Sequence, residues 1–191
     1  MYPHYFGFKQ RPFKLVPDPD YLFLSQCHEE ALAHLEYAVM SGEGFVELTG
    51  EVGTGKTLLC RVFLDNLGPE VETAYIFNPA MDARELLQAI NAEFGIAFHH
   101  ETPSALIYEL NQFLISQKAR GRKSLLVIDE AQSLSRSVLE QIRLLTNLET
   151  TRDKLLQIVL AGQPELGELL DTYELRQLSQ RITARYHLDQ L

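Results

Sequence analysis

Cysteine is scarce in this sequence. Its 191 residues hold two, Cys27 and Cys60, far apart. That excludes a disulfide framework and offers no zinc-ligand spacing. Cys60 is expected to be a small buried thiol on the apolar side of a helix. Long hydrophobic runs are also missing: none approaches the ~20 residues needed to span a bilayer. The opening Met1-Tyr2-Pro3-His4-Tyr5-Phe6-Gly7-Phe8 has no basic stretch leading into an apolar one, so it does not read as a signal peptide. A soluble, cytoplasmic chain is expected. Positive charge is in deficit, with 17 Lys and Arg against 26 Asp and Glu and a formal net charge of −9. This argues against a general binder of nucleic-acid backbones. The densest basic run, Lys118, Arg120, Arg122 and Lys123, flanks Gly121 and reads as a solvated turn. The histidines offer no metal spacing: His99-His100 reads as an exposed loop pair, and His28 and His34 fall on the first helix.

What remains is an ordinary globular composition, 46% hydrophobic and 23% charged, long enough for one domain with a substantial core. Residues 1–25 are rich in proline and aromatics, among them Tyr5, Phe6 and Phe13, and read as an ordered arm. Ala31, Leu32, Leu35, Ala38 and Val39 then recur at helical spacing until Gly42 and Gly44. After that the chain alternates. Strands are expected at Phe45–Thr49, Thr73–Phe77, Leu125–Ile128 and Leu156–Leu160, with a last one near Tyr186–Leu188. Helices are expected between them, one opened by Asp82 with Glu85 in a capping box. Such alternation predicts an α/β fold, a parallel sheet covered on both faces. The division expected is an arm and first helix over 1–44 and an α/β core over 45–191.

Gly50-Glu51-Val52-Gly53-Thr54-Gly55-Lys56-Thr57 fits the P-loop pattern, with a strand before it and a helix, opening with Leu58, after it. Its glycines let backbone N–H groups turn toward phosphate oxygens. The helix adds its positive N-terminal end. Lys56 would reach the β- and γ-phosphates of ATP, and the Thr57 hydroxyl would ligate Mg²⁺. The second half of the site is Leu125-Leu126-Val127-Ile128-Asp129-Glu130, an apolar strand ending in two carboxylates where open α/β sheets bind ligands. Asp129 would hold Mg²⁺ directly or through water. Glu130 would deprotonate the attacking water. A strand lying in sequence between the P-loop and Asp129-Glu130, with the adjacent glutamate, points away from GTPase-like proteins and toward AAA+ and RecA-like ATPases. Asn78 and Gln163, at the ends of the second and fourth strands, could reach Glu130 or the γ-phosphate. Arg176, Arg181 and Arg185 stand where an arginine acting on a neighbouring subunit's phosphate would be sought.

Several segments together resemble the ExeA/GspA family, AAA+ ATPases of the general (type II) secretion pathway and of related pilus and exopolysaccharide systems. They are Tyr5-Phe6-Gly7-Phe8, Arg11-Pro12-Phe13 and the run from Pro17 to Ser25; the P-loop; Ile128-Asp129-Glu130-Ala131-Gln132; Arg143 to Thr150; Gly162-Gln163-Pro164-Glu165-Leu166; and Leu175 to Ile182. The resemblance implies a three-layer P-loop NTPase sandwich with a central parallel five-stranded sheet. It makes Asp129 and Glu130 the Walker B pair and Gln163 the sensor-1 residue. It makes Arg181 the best match to an arginine finger, with Arg176 second. The arm around Tyr5, Phe6 and Phe13 is similar to the segment near adenine, and its aromatics fit plain core as well. Relatives often repeat threonine where this chain has Leu58. They continue into a helical lid, and full-length ones often into a membrane helix and a peptidoglycan-binding domain. With the lid expected to be missing after Leu191, weak turnover is expected of this chain alone.

The function expected is therefore an ATP-binding and ATP-hydrolysing domain that helps assemble or energise a bacterial secretion or envelope complex. A homo-oligomer joined through the arginine finger and a secretion-complex partner are implied, at the inner-membrane face in a longer protein. Two rivals are a DNA-transposition regulator of the MuB/TniB kind, which the −9 charge opposes, and a nucleotide-gated scaffold with little turnover, which the complete Asp129-Glu130 pair opposes.

Overall fold

The computed structural model describes residues 25–77, 79–97, 102–150 and 153–189. The N-terminal arm and the His99-His100 pair lie outside these residues. Helix α1 (Gln26–Ser41) precedes β1 (Phe45–Gly50), α2 (Lys56–Asn66), β2 (Val71–Ile76), α3 (Ala83–Glu93), α4 (Pro103–Ala119) and β3 (Lys123–Ile128). A 3-10 turn (Ala131–Ser133), α5 (Arg136–Leu145), β4 (Gln157–Gly162), α6 (Pro164–Leu170), a second 3-10 turn (Tyr173–Leu175), α7 (Arg176–Ser179) and β5 (Ala184–Leu188) follow. The five strands form one sheet in the order β2-β3-β4-β1-β5, and every pairing is parallel. In space the strand that separates β1 from β3 is β4, which arrives late in the chain, while β2 takes the edge.

Strand periodicity explains the two apolar layers. Leu125 and Val127 face one side with Val46, Leu48, Val159 and Leu188, and are covered by Ala31, Leu35 and Val39 of α1 and Leu59 and Phe63 of α2. Leu126 and Ile128 face the other with Phe45, Ile158 and Leu160, beneath Leu86 and Ile90 of α3, Leu110 of α4 and Val138 and Ile142 of α5. The first helix thus shares a core with the P-loop helix. Its C-terminal end is closed by Gly42 at φ +81° and then by side chains at the starts of two strands. Gln157 Nε2 donates to the carbonyls of Ala38, Val39 and Glu43, and Lys123 Nζ to those of Val39 and Met40. Of the basic run, Lys118 pairs with Asp153 and Arg122 with Glu72, so its charge is largely met inside the protein.

The second strand starts two residues earlier and ends one residue earlier than the sequence indicates. Its register against β3 ends at Ile76↔Ile128, and Phe77, apolar but unpaired, is left 54% exposed. The first strand extends through Gly50 and the last begins at Ala184. At the start of α3 the capping box is complete. Asp82 accepts from the backbone N–H groups of Arg84 and Glu85, and the Glu85 carboxylate accepts from Asp82 N–H. Asp82→Ala removes two of these bonds and is expected to destabilise the fold by about 1 kcal/mol. A urea midpoint that does not move would mean the cap contributes nothing.

Candidate nucleotide-binding site

The C-terminal ends of β1, β3 and β4 converge on one cavity of about 400 Å³, lined by Val52, Gly53, Gly55, Lys56, Thr57, Leu58, Glu130 and Gln163. The loop that forms it is built by exclusion. A Cβ on Gly50 would stand 2.7 Å from the Leu188 carbonyl oxygen of β5 and 3.0 Å from Thr54 Oγ1. Gly53 and Gly55 have φ of +87° and +86°, a conformation that side chains resist. Thr54 Oγ1 donates to the Glu51 carbonyl at 2.9 Å and staples the turn. The Thr54 carbonyl in turn is held by His28 of α1, whose Nε2 lies 2.9 Å away. A carbonyl can only accept, so Nε2 donates, and Nδ1 is left to pair with Ser25 Oγ at 2.7 Å.

Lys56 is 6% exposed. Its Nζ donates to the carbonyls of Gly50 (2.6 Å) and Glu51 (2.8 Å), which leaves one of an ammonium's three donors for a phosphate. Burial lowers its pKa from the usual lysine value, while Glu130, Asp129 and Glu51 act to raise it. Thr57 Oγ1 donates to Asp129 Oδ2 at 2.7 Å. These two residues, a hydroxyl and a carboxylate, are the hard oxygen donors that would hold a Mg²⁺ here. Asp129 is wholly buried and fully engaged: Tyr75 Oη of β2 donates to Oδ2 at 3.0 Å, and Glu130 N–H to Oδ1 at 2.9 Å. Burial first, then the charge of Asp129 and the bond to it, raise the Tyr75 pKa and keep its hydroxyl a donor. Cys60, wholly buried below, is likewise raised, chiefly by desolvation; its thiol stays protonated and unreactive.

Glu130 has φ +56°, and no other non-glycine among the described residues has a positive φ. The glutamate is held there by Gln132, whose Nε2 donates to Glu130 Oε2 at 2.6 Å. The other end of the same amide accepts from the backbone N–H of Gln163 at 3.1 Å. The structure thus brings Lys56, Thr57, Asp129, Glu130 and Gln163 to one place, with Glu51 exposed on the loop. Asn78 lies outside the described residues.

The three arginines part company. Arg185 is bound to Asp171 and to buried Glu47. Arg176 stacks over Tyr173 at 4.3 Å from the ring centre. Arg181 lines a separate depression with Gly44, Phe45, Thr146, Lys154, Gln180 and Thr183. Phe45 opens β1 and the P-loop follows its end, so the length of that strand, on the order of 17 Å, separates Arg181 from its own P-loop. No hydrogen bond or ion pair engages the Arg181 guanidinium among the described residues; its field lowers the pKa of Glu149, after that residue's bond to Lys154.

A family model described as AAA domain matches residues 39–170. The chain belongs to the AAA domain family. It is similar to General secretion pathway protein A of Aeromonas hydrophila, with 52% identity over 189 residues, covering 98% of this chain and 35% of that protein. The chain thus spans about a third of that relative's length. Among solved structures, the ORC2 protein of Aeropyrum pernix, in ADPNP–ADP complexes, superposes with a TM-score of 0.71 at 21% identity, over 94% of this chain and 51% of that one. The Walker-type ATPase of Pyrococcus abyssi does so with 0.61 at 21%, over 94% and 57%. At such identities these two share the AAA fold with this chain.

Within this AAA site, sequence reasoning missed His28, Tyr75 and Gln132. A lone histidine on a helix and a tyrosine in a strand carry no signal of partners 26 and 54 positions away. Gln132 stood inside a recognised segment without a role. His28→Ala would strip the Thr54 carbonyl of its donor, a loss of roughly 1–1.5 kcal/mol and so about a decade in affinity if the loop must stay in this shape to bind. Fluorescent-nucleotide titration measures it; an unchanged Kd would show that the imidazole only fills space.

Proposed function

We propose that this chain binds Mg-ATP in the cavity between the P-loop and Asp129-Glu130 and hydrolyses it. The observation that carries the reading is the meeting of Lys56, Thr57 and Glu130 around one cavity, with Asp129 hydrogen-bonded to Thr57. Lys56 holds phosphate with its remaining donor. Thr57 and Asp129 present oxygens to the metal, which supplies charge neutralisation at the phosphates. Glu130 takes the proton of the attacking water. Gln163 reads the terminal phosphate, a role for which Asn78 is also proposed. The Gly50–Thr57 backbone and Leu58 complete the nucleotide's bed, the core over 45–191 carrying the chemistry and the helix Gln26–Ser41 packing on it.

The physiological work we propose is energising or assembling a bacterial secretion complex at the cytoplasmic face of the inner membrane. It is supported by the likeness to General secretion pathway protein A, and the rest of such a protein would bring the partners. No helix among the described residues is long and apolar enough to cross a membrane.

Two substitutions separate binding from chemistry. Lys56→Ala should weaken nucleotide binding by one to two decades, from loss of a charged hydrogen bond of roughly 1.5–3 kcal/mol. Glu130→Gln should bind normally and hydrolyse roughly 10²–10⁴ more slowly. Equal affinities in the first case, or equal phosphate release in the second, would remove the residue from its role.

Assembly is proposed to complete the site. Arg181 is too far from its own Lys56 to share a phosphate, and no hydrogen bond or ion pair engages its guanidinium among the described residues. It therefore serves ATP bound by a neighbouring subunit, where such fingers accelerate turnover by roughly 10³–10⁵. Arg181→Ala and Lys56→Ala proteins should each be nearly inactive, and their mixture should recover part of the activity, because one supplies a finger and the other a P-loop. Co-assembly without recovery would exclude Arg181.

A further inference from the structure

Gln132 is the residue whose geometry the proposed chemistry has not used. It follows Glu130 by two positions, in the 3-10 turn that re-aims the chain after β3. Both ends of its amide are committed, to the Glu130 carboxylate at 2.6 Å and to the Gln163 N–H at 3.1 Å. An amide has a donor end and an acceptor end, and only this orientation satisfies both neighbours. Room for the side chain is kept by Gly162, the last residue of β4. A Cβ there would lie 2.8 Å from Gln132 Oε1. Glu130 itself sits in the left-handed region, at φ +56°, a conformation that persists only where surrounding contacts hold it. Through one side chain, the end of β4 is therefore tied to the carboxylate at the end of β3.

We infer that Gln132 is a positioning residue for hydrolysis. It fixes the direction in which Glu130 presents its carboxylate and couples that direction to the β4–α6 junction carrying Gln163. It touches neither phosphate nor metal. This rests on Glu130 being the base. A general base acts only within hydrogen-bond reach of its proton, so a glutamate free to rotate loses rate while the nucleotide stays bound.

The test is Gln132→Met, which keeps the length and bulk of the side chain and removes both hydrogen-bonding ends. Single-turnover hydrolysis should fall by about 10- to 100-fold, the equivalent of one hydrogen bond to a charged group. The Kd for nucleotide should stay at its wild-type value. In a Glu130→Gln background the same substitution should cost nothing further, because the group it positions no longer takes a proton. A residue with only a structural role would act equally in both backgrounds, and that result overturns the inference. Wild-type rates in Gln132→Met, with Glu130→Gln still slow, overturn it while leaving the base in place. Wild-type rates in Glu130→Gln instead sink the base assignment beneath it. A readout that needs no turnover is amide exchange at Gln163 N–H, which should speed up in Gln132→Met; unchanged protection would show that the link to β4 does not exist.

Discussion

Asp129 holds the site together. Its carboxyl group is fully buried at the end of a strand made of Leu125, Leu126, Val127 and Ile128, where an unpartnered polar group would cost several kcal/mol. Three donors answer it, from the P-loop helix, from β2 and from the next residue of its own chain. Because those donors come from separate elements, meeting the needs of one buried group fixes the P-loop helix against β3 and the edge strand against both. The same bonds hold the Thr57 hydroxyl and the Asp129 carboxylate side by side. On the proposed reading, one arrangement then serves both folding and binding.

The parallel sheet sets what lies on each rim. Every strand ends at the nucleotide side, so loops after β1, β3 and β4 share the cavity. Every strand begins at the opposite side, where Arg181 precedes β5 beside Phe45. Arg185, one turn of chain later, is drawn back into the protein by Asp171 and Glu47. Burial and the charge of Asp171 raise the Glu47 pKa, while Arg185 acts to lower it, so that arginine is needed where it is. The division leaves Arg181 as the guanidinium of the three that no hydrogen bond, ion pair or ring stack engages among the described residues.

Contiguity decided what the sequence could reveal. The P-loop is eight adjacent residues whose strand and helix context can be read on either side, and Asp129-Glu130 close an unmistakable apolar run. The parallel, two-faced sheet follows from the alternation of periods. Pairing decides strand ends, which is why Phe77 was read into a strand whose partner stops at Ile128. Contacts made across the fold leave no local mark: His28 reaches Thr54, Tyr75 reaches Asp129, and Gln132 reaches the backbone N–H of Gln163, 31 positions on. Gly162 shows the same limit, since the crowding at its Cα comes from Gln132 and Leu166 rather than from any turn of its own.

The electrostatics of the cavity explain why such a site would be built to remain incomplete. Among the described residues lining it, Lys56 is the one cation, and it already feels Glu130, Asp129 and Glu51. Nucleotide phosphates add more negative charge to a protein of net charge −9. A lone subunit with metal can hold that charge, since the P-loop N–H groups and the helix end share it. The charge gathering on oxygen as the terminal phosphate leaves calls for a further cation, and the cavity's own lining has none to give. On the proposed reading that cation comes from the far rim of another copy, and turnover would then depend on assembly while binding would not.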